Sequence, residues 1–171
     1  FYAEEMMDSG FFFSYSDIIY DGVIVRQMLN SEADIASAVC TDWIGYYEWR
    51  FEHPIEQAEL VFSENGETVS TIKKEADYKK AFGEFLGIAI FNPKGAKILI
   101  EVFNDLKKSY AINSDETFHT AKTFKQAYMT DMFQELINRD YPVNIVKIEG
   151  RWAEIDTKRD LEVVTQMWKD R

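Results

Sequence analysis

Between residues 11 and 39 the spacing of apolar residues changes period twice, and no other feature restricts the fold as much. Phe11-Phe12-Phe13-Ser14-Tyr15 is a short apolar run with little alternation, which predicts a central strand covered on both faces. Val23, Val25, Met28 and Leu29 follow helical spacing, and residues 34–39 predict a second strand. Strand, helix, strand at these lengths implies a right-handed crossover, a parallel pair and an open α/β sheet. In such sheets ligands bind beyond the carboxyl ends of the strands. Asp17 stands at such an end, where it can ligate a metal; an ordinary turn aspartate is the plainer alternative.

The rest of the chain continues the alternation. Residues 1–8 read as helical and stop at Asp8-Ser9-Gly10. Asn65-Gly66, between apolar runs at 59–62 and 68–72, predicts a hairpin. Lys73-Lys74 follows, with one lysine available to face the crevice. Residues 81–91 read as a buried strand whose Gly83 and Gly87 mark close approach of a ligand or another backbone. Helices are expected at 93–106, with Pro93 in the first turn, at 117–138 beyond a polar loop around Ser114-Asp115-Glu116, and at 158–170. Asp131 beside Tyr128 is an acid within the apolar stripe of the second of these.

Two stretches carry chemistry. After an apolar strand at 143–149 comes Gly150-Arg151-Trp152-Ala153-Glu154-Ile155-Asp156-Thr157. Alternate side chains of an extended segment share a face, so Glu154 and Asp156 point together and suit a divalent metal. The same residues also make a good helix start, with Asp156 or Thr157 as N-cap. The second stretch, residues 41–54, holds Trp43, Tyr46, Tyr47, Trp49 and Phe51 near Glu48 and Glu52. Aromatic faces with acids attract a cationic amine, although rings that merely pack a loop onto a sheet give the same composition.

Composition excludes several classes. The chain has 171 residues, 46% hydrophobic and 29% charged, which is the balance of one globular domain. A net charge of -11 disfavours nucleic acid or an anionic membrane as partner, while a small anion held by a metal stays compatible. Cys40 is the only cysteine, so an intrachain disulfide is impossible and a reducing cytoplasm is the expected compartment. No run approaches the ~18 apolar residues of a membrane span.

Taken together these segments resemble the sugar-phosphate and choline-phosphate nucleotidyltransferases. The matching pieces are residues 14–20, Thr41-Asp42-Trp43, Arg50 with Glu52-His53-Pro54, Ala58-Glu59, Gly83-Glu84-Phe85-Leu86-Gly87-Ile88, Tyr128-Met129-Thr130-Asp131 and residues 152–157 with Asp160-Leu161. The tryptophan-bearing loop with Glu-His-Pro is most similar to the phosphocholine branch, which includes cytidylyltransferases acting on 2-aminoethylphosphonate. The resemblance implies a Rossmann-like fold with a mixed, mostly parallel sheet. It implies magnesium between Asp17 and Asp156, a nucleoside triphosphate such as CTP, and a small phosphate or phosphonate acceptor bearing an amine. It further implies that Glu154 and Asp131, with Trp43, Tyr128 and Trp152, face the amine, and that Arg50 and Glu84 are on the substrate side. The family's first strand and glycine-rich Gly-x-Gly-x-Arg loop have no counterpart here, so the 171 residues read as the C-terminal two thirds of a single such domain. The alternatives are a nucleotide-sugar pyrophosphorylase, or a truncated domain that binds without turnover.

Overall fold

The structure, a computed structural model, describes residues 4–48, 50, 52–112 and 115–169. The expectations for Phe1 to Ala3, for Trp49 and Phe51, for Ser114 and for Asp170 lie outside the described residues. In chain order the elements are β1 (Phe11–Ser14), β2 (Ile18–Tyr20), α1 (Gly22–Leu29), β3 (Ile35–Cys40), β4 (Leu60–Phe62), β5 (Thr71–Lys73), β6 (Gly83–Phe91), α2 (Pro93–Tyr110), α3 (Met129–Asn138), β7 (Asn144–Lys147), β8 (Trp152–Glu154) and α4 (Lys158–Lys169). Of the helix expected at 1–8, the described residues form a short 3-10 turn at Glu4–Met6.

β6 organises the main sheet, whose order is β5-β4-β6-β3-β7 with β1 also on β6. β3 runs antiparallel along one edge of β6 and is itself parallel to β7. The other edge is divided: β1 pairs from Phe11↔Phe91 to Ser14↔Ile88, and β4 pairs at Leu60↔Glu84 and Val61↔Gly83. By direction β1, β3, β4 and β7 run one way and β5 and β6 the other, so the sheet is mixed: β3–β7 is a parallel pair, and the other pairings of this sheet among the described residues are antiparallel. The expected parallel pair of the first two strands is corrected here. β1 and β3 point the same way, but β6 lies between them, and among the described residues β1 pairs with β6 alone. Strand order is a non-local property that hydrophobic period does not encode.

The two faces of the sheet bury two cores, which is why β3 and β6 are buried along their length. Ile35, Val39, Phe85, Ala89 and Phe91 pack with Leu99 and Val102 of α2 and Phe133 and Leu136 of α3. Ala36, Ala38, Leu86 and Ile88 pack on the opposite side with Ile24 and Met28 of α1, Trp43 and Trp152. β1 alternates between them, Phe11 and Phe13 to the first and Phe12 to the second, so the expected two-sided cover is present.

Local chemistry explains the helix boundaries. Asp21 and Asn92 cap α1 and α2 by accepting from the Val23 and Gly95 amides, and Pro93 opens α2. The long helix expected over 117–138 is shorter: α3 begins at Met129. Asp131 Oδ2 accepts from the Tyr128 amide, and Oδ1 accepts from the Thr120 amide and hydroxyl, which fixes a non-helical approach before the cap. The Asn65-Gly66 turn is present, with Asn65 Oδ1 accepting from the Glu67 and Thr68 amides, but β4 and β5 are joined by a longer loop than a tight hairpin.

Gly87 is where the divided edge parts. From Ser37↔Ala89 to Val39↔Phe85, β3 advances two residues and β6 four, a bulge. Gly87 has φ +67° and its carbonyl oxygen accepts from the Tyr15 amide at 2.8 Å, and an added Cβ would lie 2.2 Å from the Tyr15 ring. The close approach expected at Gly83 and Gly87 is thus to protein: at Gly83 a Cβ would meet the Cys40 carbonyl. Gly87→Ala should therefore lower stability by about 2 kcal/mol or more, a drop in Tm of about 4–8 °C for a chain of this size, read by thermal melting. An unchanged Tm would show that Tyr15 can swing away without cost.

Candidate active site

A second, small sheet brings the two acidic stretches together. β2 and β8 pair antiparallel, Ile18↔Glu154 and Tyr20↔Trp152, and the Ile155 amide donates to the Asp17 carbonyl at 2.8 Å. Asp17, exposed after β1, is thereby set beside Glu154 and Asp156. The two readings of the last motif coexist. Thr157 Oγ1 accepts from the Asp160 amide while Asp160 Oδ2 accepts from the Asp156 and Thr157 amides, a capping box at the start of α4. Glu154 and Asp156 meanwhile share a face, as their spacing predicts.

Arg50 occupies that face. Its side chain is 1% exposed; Nη2 donates to Asp156 Oδ2 at 2.5 Å, and Nη1 lies 2.9 Å from Glu154 Oε2. Asp160 Oδ1 is 3.9 Å from Nε. Burial opposes the charge on Arg50, but Glu154, Tyr47 and Asp156 outweigh it and raise its pKa. His53 Nδ1 is 2.9 Å from Asp156 Oδ2, not on Glu52. Burial and the Arg50 charge lower the His53 pKa despite the facing carboxylates. Among the described residues, His53, Glu154 and Asp156 offer ligand atoms within 4.8 Å of one another.

These groups border a cleft of about 330 Å³ that opens where β1 and β4 part. Asp17, Glu154 and Asp156 form one wall. Tyr15, Tyr47, Glu59, Lys74, Glu84 and Tyr128 form the rest of the lining that matters chemically. Glu84, 5% exposed, receives the Tyr47 hydroxyl on Oε1, and Oε2 is buried without a partner. Burial pushes its pKa up to about 8 against the Tyr47 hydrogen bond. Glu59 receives the Tyr15 hydroxyl at 3.1 Å and lies 3.5 Å from Lys74 Nζ; burial raises it to about 7 although Lys74 pulls the other way. Burial also raises Glu154, against Arg50. Near neutrality the cleft therefore holds part of its acidity as protonated carboxyl groups.

The other expected residues divide. Tyr128 and Trp152 line the cleft. Trp43 does not: it is 2% exposed in the second core, edge-on to Tyr47 and Tyr78. Asp131 is spent on the α3 cap and sits outside the cleft lining. Of the lysine pair, Lys74 faces the cleft and Lys73 is exposed. His119, for which the sequence suggests no partner, pairs with Glu135 at 2.9 Å away from the cleft. Sequence reading did not assign Tyr15, Tyr47 and Glu59 to the site. The available signal was a lone acid between apolar residues, Ala58-Glu59-Leu60, in the same manner as Gly83-Glu84-Phe85.

The fold is the Rossmann-like fold of solved nucleotidyltransferases, on which the chain superposes. The resemblance to the sugar-phosphate and choline-phosphate nucleotidyltransferases is borne out by relatives of that kind. CTP:phosphoglutamine cytidylyltransferase of Campylobacter jejuni is 29% identical over 150 residues, 88% of this chain and 56% of that protein. The inositol-1-phosphate CTP transferase of T. maritima superposes with a TM-score of 0.65 at 17% identity, over 98% of this chain and 59% of its own. CTP:phosphocholine cytidylyltransferase of Streptococcus pneumoniae does so with a TM-score of 0.60 at 16% identity, over 92% and 57%. No protein-family model matches the chain. The chain thus spans somewhat over half the length of these relatives. No helix among the described residues is long and apolar enough to cross a membrane.

Two measurements probe this electrostatic arrangement. Arg50→Met keeps bulk but leaves Glu154, Asp156 and Asp160 without their cation, and should cost about 3–5 kcal/mol in denaturant unfolding at pH 7. The pH test concerns Glu84, whose folded pKa of about 8 exceeds the ordinary glutamate value of 4.5. Between those values the folded state binds more protons than the unfolded one, so this group's contribution to stability falls as pH rises. Glu84→Gln should flatten the decline in Tm between pH 5.5 and 8.5 by at least about 3 °C, the equivalent of roughly 1 kcal/mol. Parallel wild-type and variant curves would contradict the assignment.

Proposed function

We propose that this chain supplies the acceptor side and the metal-facing acids of a nucleotidyltransferase. In this reading it transfers a nucleoside monophosphate from CTP to a small phosphate or phosphonate that bears an amine. The observation that carries it is the β2–β8 pairing, which sets Asp17 beside Glu154 and Asp156 on one wall of a cleft whose remainder is acidic and aromatic. The CTP-using relatives support the choice of nucleotide, and the buried carboxyls support an acceptor with a nitrogen cation.

The chemistry needs no protein nucleophile. An acceptor oxygen forms a bond to the α-phosphorus, the bond from that phosphorus to the bridging oxygen breaks, and pyrophosphate leaves with the electron pair. The protein's contribution is position and field. Arg50 and His53 hold Asp156 in one orientation, and the Asp17 carboxylate has no hydrogen-bond or ion-pair partner among the described residues, so both can face an incoming charge. Carboxylate oxygens of this kind suit a hard divalent cation. Asp17 and Asp156 would hold magnesium, which supplies positive charge against the phosphate oxygens. Lys74 offers a nearby ammonium, although it is shared with Glu59.

The test is pyrophosphate release, crossing CTP, UTP, ATP and GTP with phosphocholine, phosphoethanolamine, 2-aminoethylphosphonate and sugar 1-phosphates, with and without magnesium. Release with CTP and an amine-bearing acceptor, only with magnesium, is expected. Asp156→Asn and Asp17→Asn should each reduce it by at least about 100-fold while the melting curve stays cooperative. Release with sugar 1-phosphates alone would give a nucleotide-sugar pyrophosphorylase instead. No release from any pair would leave a domain that binds without turnover.

A further inference from the structure

Of the aromatic rings that border the cleft, Tyr47, Tyr128 and Trp152 each already have a partner over one face, and Tyr15 and Phe85 meet edge to face. The Arg50 guanidinium lies 5.3 Å from the Tyr47 centroid, Lys74 Nζ lies 4.8 Å from that of Tyr128, and Tyr46 stacks on Trp152 at 4.5 Å. A quaternary ammonium is held by open aromatic faces, because it has no hydrogen to donate. What the cleft offers instead is hydrogen-bond acceptors. Lys74 already demonstrates one such arrangement: a primary ammonium against Glu59 and the face of Tyr128. Glu84 is different, since Tyr47 fixes Oε1 and leaves Oε2 buried and unpartnered at the cleft lining. A buried acceptor left open costs about 1–3 kcal/mol, which a ligand N–H can recover and a trimethylammonium cannot.

We propose that the acceptor's nitrogen enters this cleft as an ammonium that keeps its N–H bonds and is received by Glu84, so that primary amines are selected over quaternary ones. This rests on the amine-bearing acceptor of the preceding section and narrows it. Glu84 is faced by Tyr47 and Arg50 from the 41–58 loop, by Glu59 next to β4 and by Glu154 of β8. An arriving ammonium favours the ionised carboxylate, so binding at pH 7 releases about one proton from this largely protonated group.

Phosphoethanolamine and phosphocholine differ only in the three N-methyl groups and make a matched pair of probes. Each is titrated calorimetrically into the 171-residue chain without nucleotide, at pH 7, in two buffers of different ionisation heat. Phosphoethanolamine should bind at least about 10-fold more tightly and release protons. Glu84→Gln, a neutral isostere checked by its melting curve, should bring the two ligands to within about twofold and abolish the proton release. Equal or tighter binding of phosphocholine, a preference that survives Glu84→Gln, or binding of neither ligand overturns the proposal. The pyrophosphate assay separates it from the reading it rests on. A Glu84-dependent preference without release from any triphosphate defeats the transfer reading alone, and release with phosphocholine at an equal kcat/KM defeats the Glu84 proposal alone.

Discussion

A strand buried on both faces and hydrogen-bonded along both edges leaves no room for error, and β6 is such a strand. Its side chains reach both cores, and β3, β1 and β4 all take their register from it. The one irregularity it carries, the bulge at Gly87, is where two neighbours on the same edge separate. A cleft has to form at that point, because the backbone that would close it has been turned aside to meet Tyr15. The cleft is thus a property of the sheet before it is a property of the side chains that line it.

Those side chains then face an electrostatic problem. Asp17, Glu59, Glu84, Glu154 and Asp156 converge on a space of about 330 Å³ in a chain of net charge -11. Two devices relieve the repulsion. Arg50 is buried against Glu154 and Asp156, a pairing whose Coulombic gain offsets desolvation only because several acids share it. Glu84 and Glu59, deeper in the lining, keep protons instead. The cleft is consequently polarised, with a charged wall at the end of β8 and a more nearly neutral one beneath β4 and β6.

Much of this was legible from the residues. α1, the start of α2 and α4 follow from spacing and caps, and the shared face of Glu154 and Asp156 follows from strand geometry alone. Asp131 misled because an acid in an apolar stripe looks functional until its amide partners are seen; it closes a turn with Tyr128 and Thr120. Trp43 misled for a similar reason, as a tryptophan in an aromatic loop can face inward or outward and period does not decide. The insertion of β6 between β1 and β3, and the meeting of Glu59 with Tyr15 across 44 positions, are tertiary facts with no local signature.

The coupling of Arg50 to its acids bears on how such chains diverge. Loss of either acid leaves a buried guanidinium short of partners, and loss of the guanidinium leaves carboxylates facing one another. The three side chains are therefore inherited most easily as a set, held by the cost of intermediate states. A lineage that had stopped using the cleft would still be selected to keep them for folding. Their joint presence in a distant relative says first that its 41–58 loop is anchored to the last helix, and only then that the cleft is in use.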